Sequence, residues 1–124
     1  MIEVGAHGTA ELTVADDDTA VAFRSGTVPV LATPRVVALV EEATVLALRG
    51  RLAAGETTVG MRVQLDHLAP TPVGGAVTAE AHLEKVEGRR LTFTVSVTDG
   101  RGLVAVGKVT RVVVDEARFL ERSG

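Results

Sequence analysis

One helical stretch limits the folds open to this chain more than any other feature. Residues 33–49 read TPRVVALVEEATVLALR, and only Arg35, Glu42 and Arg49 form a polar stripe along this stretch. A helix that is apolar on nearly every side has to be enclosed by other parts of the protein. The rest of the sequence must therefore supply a surface that surrounds it.

The ends of this helix carry ordinary start and stop signals. Thr33 is predicted to be the N-cap, and Pro34 suits the first helical position, where its missing N–H costs nothing. Gly50 and Gly55 are expected to mark the end of the helix and the loop that leaves it.

Most of the remaining sequence alternates between apolar and polar side chains. Residues 91–98, LTFTVSVT, alternate strictly and are typical of a half-buried antiparallel strand. Asp99-Gly100 predicts a hairpin turn after this strand. The acidic run Asp16–Asp18 is interpreted as a turn between two short strands. In all, strands are predicted at 7–14, 19–24, 57–68, 75–87, 91–98 and 103–114, and a short helix in the tail from residue 115.

This pattern predicts a single α+β domain over residues 1–124. Long antiparallel strands can curl around one apolar helix, which is the layout called the hotdog fold. A sheet of this kind typically pairs edge to edge with a second copy, so we expect a homodimer. The alternative is an α+β roll, in which one side of the helix should be polar. The enclosed version is favoured, because so few helix residues are polar.

Composition excludes several classes of function. The net charge is −3, and three Phe are the only aromatic residues, which argues against nucleic acid as a partner. Without cysteine the chain cannot form disulfides, thiolate nucleophiles or Cys-ligated zinc sites. We expect no cofactor and no metal. No signal peptide or membrane span is apparent at the sequence level, so the expected location is the cytoplasm.

Glu41 and His67 are the candidates for acid–base chemistry. Glu41 projects from an apolar surface of the helix. His67 follows Val59, Met61, Val63 and Leu65 at the period of a strand, so all five are predicted to share the inward face. A carboxylate and an imidazole on buried faces are costly without partners, and together they form an acid–base unit. Taken singly, Glu41 could reach solvent or cap a backbone group, and His67 could be a structural histidine.

Thr33 and Gly60 have both structural and functional interpretations. The Thr33 hydroxyl is sufficiently explained as an N-cap, although it could also orient a carboxylate or a substrate carbonyl. Gly60 is either a strand bulge or a position where a ligand approaches the backbone. Neither residue is evidence of catalysis when taken alone.

The order and spacing of Thr33, Glu41 and His67 resemble those of hotdog thioesterases related to fluoroacetyl-CoA thioesterase. The resemblance extends from about Val4 to Phe119 and includes the segments GMRVQLDH (60–67), VEGRRL (86–91) and VTDG (97–100). It implies hydrolysis of an acyl-CoA thioester at a dimer interface, with Thr33, Glu41 and His67 as the catalytic set. It also implies that the Gly60 N–H polarises the thioester carbonyl.

The loop before the helix departs from this family. The fluoroacetyl-CoA specialists carry aromatic gating residues there, whereas this chain has TVPVLA at 27–32. We therefore expect a different small or medium acyl group, in a pocket lined by aliphatic residues such as Val30, Leu31 and Val37. The candidates for contacts with the CoA phosphates are Arg62, Arg89, Arg90 and Arg111.

Two other functions remain open from the sequence. A hotdog hydratase or dehydratase acting on acyl-CoA also uses a carboxylate and a histidine, often five residues apart in one segment, and no such pair surrounds His67. A non-catalytic acyl-CoA-binding dimer module would bind without turnover, because a fold does not by itself establish a function.

Overall fold

The computed structural model describes residues 2–124 as five antiparallel strands and three helices. The strands form one sheet in the order β1-β3-β4-β5-β2, so β1 and β2 lie at its edges. The element bounds are β1 His7–Thr13, α1 Ala20–Phe23, α2 Thr33–Ala47, β2 Glu56–His67, β3 Ala76–Glu87, β4 Arg90–Asp99, β5 Gly102–Asp115 and α3 Glu116–Ser123.

Helix α2 lies in the concave side of this sheet and contacts all five strands. Its buried residues Val36, Leu39, Val40 and Ala43 pack on the inward side chains of β3, β4 and β5, among them Phe93. This arrangement confirms the predicted α+β fold, an antiparallel sheet wrapped around one long helix.

The enclosure of α2 within the chain is less complete than the sequence suggested. Thr33, Val37, Glu41 and Val45 lie four residues apart and share one helix face. Val37 and Glu41 on this face are only partly buried, and Val45 is 47% exposed. The reason is that the sheet ends at β2, so the apolar side of α2 beyond that edge is left open.

Residues 19–24 do not form the predicted strand. Asp16–Asp18 form a single 3-10 turn, and Ala20–Phe23 form one turn of α-helix. The Thr19 hydroxyl accepts a hydrogen bond from the Ala22 N–H and so caps this helix. Thr19 itself forms an isolated antiparallel bridge with Leu31, but the pairing ends there and the capped helical turn follows.

Strand β2 contains a bulge that changes which side chains face the helix. The register with β5 shifts between Gly60 and Arg62, so Met61 is the extra residue. Gly60 pairs with the inward-facing Arg111, and His67 pairs with the buried Ala105. Because Gly60 and His67 are seven positions apart, they would lie on opposite faces of a regular strand. The extra residue in the bulge brings both to the face that contacts the helix. The prediction that Met61 faces inward is wrong for the same reason, and Met61 is exposed.

The backbones of α2 and β1 approach each other closely at Gly8. A Cβ at this position would collide with the backbone of Ala43 and Ala47. Gly8→Ala should therefore lower the free energy of unfolding by about 1–3 kcal/mol, because the helix must move away from the strand. Urea denaturation measures this change. Gly100→Ala is the matched control, since a Cβ there meets no atom within 4 Å. Equal stability of the two variants would contradict the close packing.

Candidate active site

Thr33 and His67 form a hydrogen-bonded pair at one end of α2. Thr33 is the first residue of α2, His67 is the last residue of β2, and the distance from Thr33 Oγ1 to His67 Nδ1 is 2.8 Å. The predicted N-cap role of Thr33 is wrong, because Ala32 occupies that position. The Thr33 hydroxyl is thus free to bind the imidazole at a distance suited to proton transfer.

The surroundings of the His67 ring favour its neutral form. Burial lowers its pKa below the ordinary value of 6.5, and a backbone interaction with Ala69 opposes this to a smaller extent. The Nε2 atom is buried and has no hydrogen-bond partner within residues 2–124. An imidazolium would therefore bury an N–H donor without an acceptor. A neutral ring is the form that can accept a proton.

Glu41 is paired with Arg111 instead of His67. Arg111 Nη1 lies 3.3 Å from Glu41 Oε2, and the side chains are 8% and 34% exposed respectively. The same guanidinium donates to Thr58 Oγ1 at 2.9 Å and to the Thr58 carbonyl at 3.0 Å. Burial lowers the pKa of Arg111, while the Glu41 carboxylate raises it in part. Because its hydrogen bonds to Thr58 fix the guanidinium, Arg111 holds the Glu41 carboxylate in one place.

Gly60 provides the space into which the Glu41 carboxylate fits. A Cβ at residue 60 would fall on Glu41 Oε2, so any other residue would displace the carboxylate. The sequence allowed Gly60 to be either a bulge or a point of close approach. The structure shows that it lies at the bulge and also in close contact with a side chain.

The residues predicted to form one catalytic set lie at two separate places. Thr33 and His67 bind each other at the start of α2. Glu41 lies eight residues after Thr33 on the same helix and binds Arg111 of β5. Eight helical residues span about 12 Å. The expected Glu41–His67 pair is therefore absent from the hydrogen bonds and ion pairs of residues 2–124, and Thr33 does not hold Glu41.

A pocket adjoins the Thr33–His67 pair. We call it the loop pocket: it has a volume of about 330 Å³ and lies between the segment 25–31 and the segment 67–70. Of the three residues predicted to line the acyl site, Val30 and Leu31 line this pocket, whereas Val37 does not and lies on the open face of α2. Leu68, Ala69 and Pro70, which the sequence analysis did not single out, form its other wall.

Arg111 has a different setting from the one predicted. It was expected on the protein surface against CoA phosphates, but it is buried, and its hydrogen bonds go to Glu41 and Thr58. The alternation of β5 carried this information, since Val109, Arg111 and Val113 share one phase and are all buried. Arg62 is exposed next to the bulge.

Residues 2–124 contain neither a cluster of metal ligands nor a membrane-spanning helix. No group of three or more His, Asp or Glu side chains in this part of the chain is arranged to hold a metal ion. None of its helices combines the length and the hydropathy needed to cross a membrane.

Comparisons with known proteins give a consistent result. A family model described as "FlK: Fluoroacetyl-CoA-specific thioesterase" matches residues 14–117. Fluoroacetyl-CoA thioesterase of Streptantibioticus cattleyicolor is 40% identical over 90 residues, which is 73% of this chain and 65% of the relative. The chain thus aligns with just under two thirds of that relative's length.

Solved structures are similar over nearly the whole chain. A structure of the fluoroacetyl-CoA thioesterase FlK has a TM-score of 0.92 at 32% identity, with 99% of this chain and 96% of that chain covered. A hot-dog-like protein from Thermanaerovibrio acidaminovorans has a TM-score of 0.87 at 31% identity, with 99% and 94% covered.

The burial of His67 leads to a titration that NMR can follow. The His67 ring should protonate with a midpoint below 6.5, because burial opposes its charged form. The unfolded chain then binds more protons just below pH 6.5, so this residue lowers the folding stability as the pH falls through that range. His67→Gln identifies the resonance by removing it. A midpoint at or above 6.5 would contradict a desolvated ring.

Proposed function

Because the chain belongs to the family of fluoroacetyl-CoA-specific thioesterases, we propose that it hydrolyses the thioester bond of an acyl-CoA. Thr33, Glu41 and His67 are the proposed catalytic residues. The observation that carries this proposal is one face of α2 that presents a Thr33–His67 pair and a carboxylate held by a buried arginine. The cytoplasm is the proposed location, because a CoA thioester would be met there.

The two halves of the site are proposed to meet in a homodimer. The free edge of β2 is twelve residues long, and an exposed edge strand is a template for pairing with another chain. The neighbouring open face of α2 carries Val37 and Val45, which a partner would cover. Edge pairing of β2 with the partner's β2 therefore buries both surfaces at once.

The register of this pairing follows from the site. A two-fold axis at Gln64 pairs Val63 with the partner's Leu65, and the extra residue Met61 then brings Gly60 opposite the partner's His67. Directly paired residues share a face of the sheet, and both of these residues face the helix side. Glu41, which lies against Gly60, then approaches the partner's Thr33–His67 pair. Each dimer has two such composite sites.

The reaction needs a nucleophile, a proton carrier and a donor for the oxyanion. Glu41, fixed by Arg111, attacks the thioester carbonyl directly or activates a water molecule for the attack. When Glu41 activates water, the water oxygen forms the new C–O bond, the C–S bond breaks, and the proton that Glu41 removes passes through the partner's neutral His67 to the CoA thiolate. When Glu41 attacks directly, the C–S bond breaks as an acyl–Glu41 anhydride forms. A water molecule then breaks the anhydride bond to Glu41 and supplies the proton that the partner's His67 passes to the thiolate.

Two further groups complete the proposed site. The Gly60 N–H stabilises the developing oxyanion, as an electrostatic donor fixed in a strand. The acyl group lies near Val30 and Leu31, and no cofactor takes part. The loop 27–32 lacks aromatic residues, so the proposed substrate carries a small or medium acyl group other than fluoroacetyl.

Thiol release from a panel of acyl-CoAs tests the reaction itself. The wild type should release CoA well above the spontaneous rate, and Glu41→Gln should reduce kcat by at least about 100-fold, because it removes the nucleophile or base. Glu42→Gln is the matched control, since Glu42 is the exposed neighbour. Binding without turnover would favour the acyl-CoA-binding module. Water addition to an enoyl-CoA without thiol release would favour the hydratase.

Mixing two inactive variants tests the composite site. In a heterodimer of Glu41→Gln and His67→Gln, one site combines both substitutions and the other site has neither. Random exchange of protomers makes half of the dimers mixed, so about a quarter of the wild-type activity should return. If each site belonged to one protomer, every site would carry a substitution and no activity would return. Sedimentation checks that both variants remain dimers.

A further inference from the structure

The loop pocket is suited to one chemical class of acyl group. Its walls are formed by Val28, Val30 and Leu31 on one side and by Leu68, Ala69 and Pro70 on the other. No Asp, Glu, Lys or Arg lines it, and its polar side chains are Ser25, Thr27 and the Thr33–His67 pair. Such a lining fits a hydrocarbon chain better than the amide-rich pantetheine arm of CoA, whose polar groups need hydrogen-bond partners.

Its position connects this pocket to the reaction. Thr33 and His67 belong to its lining, so an acyl chain in the pocket keeps its thioester carbon beside the catalytic pair. Val28 is 56% exposed and Leu68 is 58% exposed, one in each of the two segments that form the walls. Two large apolar side chains left open at one pocket are the surface that a bound hydrocarbon chain would cover.

The volume gives an upper bound on the length of the chain. The pocket measures about 330 Å³. At roughly 30 Å³ for each water-sized group, a share that already includes the space between groups, such a pocket holds at most about eleven groups. An acetyl or fluoroacetyl group would leave most of the pocket without contacts, since no aromatic side chain from the loop fills it.

Building on the proposed thioesterase function, we propose that the substrates are straight-chain aliphatic acyl-CoAs of about four to eight carbons. Their chains lie in the loop pocket between Val28 and Leu68, and Val28 is a residue that determines the chain length. The thioester carbon remains beside Thr33 and His67, so chain length changes the fit of the substrate without changing the chemistry.

Binding of S-alkyl-CoA thioethers tests this proposal independently of turnover, because a thioether cannot be hydrolysed. Calorimetry with the wild-type protein should show the affinity rising by up to about fourfold for each added methylene, and then levelling off once the pocket is full. The rise should continue at least from the ethyl to the hexyl thioether. A series of equal affinities would overturn the proposal, because it would show that the alkyl chain is not buried in the pocket.

Two variants with the same substitution locate the effect. Val28→Phe should reduce the affinity for the hexyl thioether at least tenfold and leave that for the ethyl thioether nearly unchanged, because the new ring occupies the pocket. Val21→Phe is the control, since Val21 is also exposed but does not line the pocket. An equal loss for both thioethers in Val28→Phe would overturn the assignment of the pocket to the acyl chain.

Turnover separates this inference from the proposed function. If the enzyme hydrolyses no acyl-CoA but the thioether series rises with length, the proposed reaction fails and the binding assignment stands. If it hydrolyses acetyl-CoA best and discriminates against hexanoyl-CoA, the reaction stands and the substrate class is wrong. A kcat/KM that increases from acetyl-CoA to hexanoyl-CoA supports both.

Discussion

The packing of α2 into the concave side of the sheet is the constraint on which the rest of the structure depends. The helix contacts all five strands, and at Gly8 its backbone lies against that of β1 with no room for a side chain. This close fit fixes the rotation of the helix about its axis. Thr33, Val37 and Glu41 are thereby directed to the open side next to β2, and every proposed catalytic contact follows from that orientation.

A second constraint operates in β2, where one extra residue sets the geometry of the site. The bulge at Met61 brings both Gly60 and His67 to the face that looks toward α2. Gly60 leaves the space that the Glu41 carboxylate occupies, and His67 binds Thr33. Because β2 is also an edge strand, the same segment that positions the catalytic groups is available for pairing with a second chain. Catalysis and assembly are therefore coupled in the proposed dimer.

Prediction of secondary structure from the sequence succeeded where the pattern was long and regular. It failed where contacts with a neighbouring segment determined the local conformation. The long strands and the apolar helix were predicted within one or two residues. Residues 19–24 were predicted as a strand, but only Thr19 forms a β-bridge, with Leu31, and its side chain caps the helical turn that follows. Thr33 is not the N-cap, since Ala32 precedes the helix there, and the hydroxyl was thus available to His67. The N-cap lies one residue earlier than predicted, so the Thr33 hydroxyl does not cap the helix and binds His67 instead.

The sequence by itself determined that an apolar helix must be surrounded by antiparallel strands, because local periodicity and the cost of exposed apolar surface depend only on residue order. It also identified Thr33, Glu41 and His67 as the candidates. Only the tertiary structure decided their partners: Arg111 with Glu41, and Thr33 with His67. The partners in these hydrogen bonds are 34 and 70 residues apart in the sequence, so their contacts depend on strand register and on the bulge. Those are set by packing across the whole sheet, which no local sequence pattern encodes.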